Sequence, residues 1–173
     1  MLIDVETNEI VSYRNSSKKM YPASLTKVMT LIVAVENNSD LSETIQITSD
    51  MVDPFIWLDA SRAGFLPGET PTVEDTLYGM ILMSGADAAL AVAVHTSGSE
   101  EAFVELMNEK AEQMGLKNTH FTNTVGLHDE ENYSTAEDMA LILEYALRDK
   151  VCRDVLSAVE YKVAPTEQNP EGL

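Results

Sequence analysis

Residues 26–36 read TKVMTLIVAVE, a stretch that leaves little choice of fold. Val28, Leu31, Ile32 and Val35 fall at i, i+3, i+4 and i+7, while Ile32 to Val35 also fill other faces. A helix that is apolar nearly all round has to be enclosed by other elements. Pro22 suits its first turn, so the predicted helix runs from 22 to about 37.

Helical signals continue through the middle of the chain. Thr72 followed by Asp75 has the spacing of a capping box, and Val73, Leu77, Met80 and Ile81 carry the helix to Ser84-Gly85, where ADAALAVAVH resumes the pattern. Ser99 opens EEAFVELMNEKAEQM, which Gly115 ends, and Ser134 with Glu137 suggests a second box opening STAEDMALILEYALR. A short helix is predicted over 151–158. Strand signals sit elsewhere: LIDVETNEIVSY reads as strand, turn at Thr7 and Asn8, and strand; ETIQIT (43–48) and VEYKVA (159–164) alternate as strands do. Residues 49–71, punctuated by Pro54, Gly64, Pro67, Gly68 and Pro71, read mostly as loop with one helical turn. Helices in the middle and strands at the ends predict an α+β fold, a helical cluster beside a sheet of paired terminal strands. The 173 residues form a single domain, 1–173, able to bury roughly 70% of its unfolded surface.

A net charge of −18 repels phosphate backbones, so nucleic acid is not an expected partner. No apolar run reaches the ~18 residues of a membrane span. The one cysteine, Cys152, reads as a small buried hydrophobe. His95, His120 and His128 are scattered, and His128-Asp129-Glu130-Glu131 lacks the calcium-loop spacing, so no metal or cofactor is expected. Methionines 80, 83, 107, 114 and 139 read as core filling, Trp57 and Tyr133 as packing residues, and Arg62 as a surface arginine.

Ser-x-x-Lys occurs twice. Ser16 to Lys19 lies in RNSSKK, where water solvates the amine and keeps it protonated. Ser24 and Lys27 instead stand three residues apart on one helix face, at the mouth of the apolar run. Desolvation there disfavours the ammonium and lowers its pKa, so Lys27 can take the Ser24 proton. Ser24 also stands in the first turn, where the helix dipole favours a developing alkoxide.

PASLTKVMT, then GETPTVEDTLYGMILMSGADAALAVAV, then GLKNTHFTNTVGLHDEENYSTAEDMALI together resemble the penicillin-binding D-alanyl-D-alanine carboxypeptidases of low molecular mass, from about Leu2 to Leu173. The resemblance implies a β-lactamase/transpeptidase-like fold and the Ser-x-x-Lys, Ser-x-Asn and Lys-Thr-Gly elements of that group. It implies Ser24 as the acylated nucleophile, Lys27 as general base and Ser84 as the second serine, which shuttles a proton to the leaving D-alanine. Ala86 stands at the Asn position, and Asp87 beside it points about 100° away. Lys-Thr-Gly is absent between Ala164 and Leu173.

The resemblance further implies a substrate, the peptidoglycan stem peptide ending in D-Ala-D-Ala, with β-lactams as covalent inhibitors. It implies an extracytoplasmic place of work, with signal peptide and anchor outside this chain. Missing sheet strands predict a fragment of a longer enzyme, inactive or impaired, whose exposed sheet edges invite a homo-oligomer. Two alternatives stay open: a β-lactamase-like hydrolase, for which Glu105 is a faint candidate carboxylate, and a non-catalytic wall-binding scaffold, which Ala86 favours.

Overall fold

The computed structural model describes residues 1–7 and 9–173, so Asn8 of the expected first turn lies outside the described residues. Among the described residues a two-stranded antiparallel ribbon, β1 (Leu2–Ile3) and β2 (Ile10–Ser12), precedes a 3₁₀ turn (Ala23–Leu25) and seven helices. These are α1 (Thr26–Asn37), α2 (Ser49–Trp57), α3 (Val73–Leu82), α4 (Ala86–Ser97), α5 (Glu100–Gln113), α6 (Ala136–Arg148) and α7 (Lys150–Ser157). The helix-rich α+β character expected from the pattern is present.

α1 is the hub. Every residue from Thr26 to Ala34 is buried, and the helix packs against α3, α4, α5, α6 and α7. Met29, Leu31, Ile32 and Val33 meet Leu77 and Met80 of α3, Val92 of α4, Phe103 and Met107 of α5 and Ile142 of α6 in one core, all buried. Each such side chain contributes about 1.5–3 kcal/mol. α4 presents Ala88, Ala89, Ala91 and Ala93 to the interior, and side chains this small permit close helix approach.

Several sequence expectations need correction. The terminal strands do not share a sheet: β1 and β2 pair with each other, and residues 159–164 form no strand. That segment lies instead along α3, where Tyr161 stacks on Tyr78 at 3.9 Å and its hydroxyl donates to Asp75. Side-chain anchoring, not a strand ladder, uses its alternation. ETIQIT buries Ile45 and Ile47 as expected, yet its backbone bonds go to the loop at 68–71 rather than to a regular strand.

Residues 49–57 form a full helix where a loop with one turn is expected, because Met51, Val52 and Phe55 bury one face of α2 and outweigh the hydrogen bond lost at Pro54. The cap of α6 is Thr135, whose hydroxyl accepts from the Asp138 N–H. Ser134, one residue earlier, is tied instead to Thr119. Trp57 is 86% exposed and Met83 58% exposed, so neither fills the core, whereas Met80, Met107 and Met139 do. Cys152 is buried as expected.

The capping box at Thr72 and Asp75 is formed in both directions, and it starts the helix that delivers Ser84. Thr72→Ala should therefore destabilise the fold by about 1 kcal/mol in urea unfolding.

Candidate active site

Three side chains from two ends of the core converge. Ser24 lies in the 3₁₀ turn that leads into α1, Lys27 lies in the first turn of α1, and Ser84 lies at the break between α3 and α4. Ser84 Oγ donates to Ser24 Oγ at 2.9 Å, and Lys27 Nζ lies 3.4 Å from Ser24 Oγ and 3.5 Å from Ser84 Oγ. A cleft of about 420 Å³ opens above them, lined also by Pro22, Met80 and Ile81. No Asp or Glu lines it.

Backbone strain places both hydroxyls. Ala23, just before Ser24, has φ +50°, and Ser84 has φ +54°, in the left-handed region that ordinary residues avoid. Each is held from outside. Gly126, at φ +84°, packs so closely that an added Cβ would lie 1.8 Å from the Ala23 carbonyl oxygen. Gly85 after Ser84 is also closely packed, since a Cβ there would come within 2.7 Å of the Ala63 nitrogen.

Asp87 supplies the clamp on that second side. Its buried carboxylate accepts from the N–H groups of Ala63 (2.7 Å), Gly64 (3.0 Å) and Ala88 (2.9 Å), while the Ala86 N–H donates to the Ser61 carbonyl. As the 100° rotation requires, Asp87 does not replace the missing amide of the Ser-x-Asn element; it fixes the 61–64 loop against the start of α4. Arg62, on that loop, is exposed.

Lys27 is 4% exposed. Burial pushes its amine down from the usual 10.5 to about 8, partly opposed by the negative charge of Asp87. Its shortest bond, 2.8 Å, goes to the carbonyl oxygen of Val125. The sequence pattern points to Ser24, Lys27 and Ser84 but not to this third partner of the amine, because a backbone carbonyl has no sequence signature of its own. The only available sign is the NTVGL stretch, with its glycine.

Other expected groups lie elsewhere. Lys19, of the other Ser-x-x-Lys, is exposed and sits 3.6 Å above the Tyr133 ring. His95 faces Glu43, His120 bonds the Glu131 carbonyl, and His128 meets the edge of Tyr21. Among the described residues no cluster of three or more metal-binding side chains occurs. Glu105 is exposed on α5.

Solved structures share this architecture. A crystal structure of the Streptomyces K15 DD-transpeptidase superposes with a TM-score of 0.91 at 28% identity, covering 96% of this chain and 67% of that one. Penicillin-binding protein 5 of Haemophilus influenzae gives 0.84 at 33% identity, covering 96% and 48%. The class is thus that of the penicillin-binding, transpeptidase-fold proteins. DacF of Bacillus subtilis (strain 168), a D-alanyl-D-alanine carboxypeptidase, is 39% identical over 155 residues, 86% of this chain and 38% of its own length. The profile of the D-alanyl-D-alanine carboxypeptidase family matches residues 1–169, and the chain belongs to that family. It spans well under half the length of curated relatives such as DacF.

A folded-state pKa below the unfolded one means that the unfolded chain binds more protons between pH 8 and 10.5, so folding gains stability as pH rises through that window. Relative to Lys27→Met, whose side chain does not titrate, the wild type should gain on the order of 3 kcal/mol from pH 8 to 10.5. Urea unfolding of both proteins across that range checks it.

Proposed function

We propose that Ser24 is the nucleophile of a D-alanyl-D-alanine carboxypeptidase, Lys27 its general base and Ser84 a proton shuttle. One observation carries this: an amine 4% exposed, with its pKa lowered to about 8, lies 3.4 Å from an exposed serine hydroxyl. At neutral pH about one molecule in ten holds that amine uncharged, enough to serve as a base in a step that renews the population by rapid proton exchange.

The steps balance. The Lys27 lone pair takes the Ser24 proton as Oγ bonds to the penultimate D-alanine carbonyl carbon. The tetrahedral adduct collapses, the C–N bond breaks, and the leaving amine takes the Ser84 proton, which Lys27 replaces across 3.5 Å. Water then hydrolyses the ester and returns Ser24. A β-lactam amide enters by the same first step. The 2.9 Å bond between the two hydroxyls supports the shuttle role of Ser84.

Ala86 offers no side-chain amide for the substrate, so acylation on this chain proceeds without that hold. Membership of the family supports the peptidoglycan stem peptide as substrate. The place of work that goes with such a substrate is extracytoplasmic.

Incubation with a fluorescent penicillin should label the chain, with the added mass on the peptide containing Ser24, and Ser24→Ala should abolish the label. Absence of label on the folded wild type, while a penicillin-binding control is labelled, contradicts the proposed nucleophile and favours a non-catalytic scaffold.

A further inference from the structure

The lysine amine has three neighbours able to accept a hydrogen bond: Ser24 Oγ, Ser84 Oγ and the Val125 carbonyl. An ammonium has three N–H groups and can satisfy all of them. A neutral amine has two N–H groups and one lone pair. A hydroxyl can reverse its role and donate to that lone pair, whereas a carbonyl only accepts. The Val125 oxygen must therefore keep an N–H, and the lone pair is left to face the serines.

That carbonyl is held from several directions. Asn123 Oδ1 accepts from the N–H groups of Val125 (3.3 Å), Gly126 (2.7 Å) and Leu127 (3.0 Å), and its Nδ2 donates to the Leu127 carbonyl at 3.0 Å. Glu100 Oε1, at the start of α5, accepts from Thr124 N–H (2.9 Å) and Oγ1 (2.7 Å). The Thr124 carbonyl accepts from Thr30 Oγ1 at 2.7 Å, one helical turn after Lys27 on the same face of α1. Two successive carbonyls of this loop thus dock on α1, and Gly126 allows the loop to press against Ala23.

We infer that Asn123 is a positioning residue for the Ser24 chemistry: by locking loop 123–127 it fixes the Val125 carbonyl, which turns the Lys27 lone pair toward Ser24 and Ser84. This inference rests on the function proposed above. Asp87 is the charged group that acts on Lys27 across the site, and it lies outside the loop. A purely structural Asn123 would change thermal stability and leave the amine as it is.

The test compares wild type, Asn123→Ala and Asn123→Asp in the full chain labelled with carbon-13 at the lysine ε position, titrated by NMR. Asp keeps the accepting oxygen and serves as the conservative rescue. Loss of the carbonyl removes a bond that favours the ammonium, so Lys27 in Asn123→Ala should titrate about one unit below wild type. Its penicillin acylation at high pH should be about 10–100-fold slower, as expected for a misaligned base. Asn123→Asp should acylate near the wild-type rate, and its added negative charge should leave the Lys27 titration at or above the wild-type value, not below it. If Asn123→Ala does not fold, Thr30→Val removes the hydroxyl that holds the Thr124 carbonyl without changing any charge, and should lower the Lys27 titration in the same way. An unchanged or raised titration in folded Asn123→Ala overturns the inference, as does the same result in the second variant where Asn123→Ala does not fold. Because the titration needs no turnover, an unlabelled wild type counts against the proposed nucleophile alone.

Discussion

The structure turns on the dehydration of one amine. Lys27 sits where α1 enters the core, with apolar helices behind it and the 123–127 loop over it, and burial is what lowers its proton affinity. A buried ammonium without partners would be strongly destabilising. Here three oxygens receive it, two of them the hydroxyls of Ser24 and Ser84. The left-handed Ala23 and Ser84, the close-packed Gly85 and Gly126 and the Asp87 clamp fix the backbone that presents those oxygens.

Folding and function draw on the same element. α1 is enclosed because its sequence is apolar on nearly every face, and that enclosure brings the first turn of the helix below the surface with its lysine attached. A conventional amphipathic helix would have left the amine in water, where it stays charged and cannot act as a base. The break between α3 and α4 is the other half of the arrangement, since an uninterrupted helix could not turn Ser84 into the cleft.

Much of this was legible in the residues. The all-round apolar α1, the capping box at Thr72, the Ser-Gly joint and the contrast between the two Ser-x-x-Lys copies all follow from spacing and hydropathy. What was not legible has physical causes. Pro54 argues against a helix until the packing of Met51, Val52 and Phe55 is known. The choice between Ser134 and Thr135 as cap is a matter of one residue, decided by where Thr119 lies. The alternation in 159–164 is used for side-chain anchoring on α3 and not for strand pairing, which period alone cannot tell apart. The Val125 carbonyl stayed hidden because backbone acceptors are assigned by tertiary structure.

In the proposed chemistry Ser24 becomes reactive only as Lys27 sheds its proton. The rate of Ser24 acylation by a penicillin, measured across pH on the intact chain, tests it most directly. The rate should climb with pH and level off near 8, where burial places the amine's pKa. A rate indifferent to pH across that point, or one still climbing toward the 10.5 of an ordinary lysine, would contradict it.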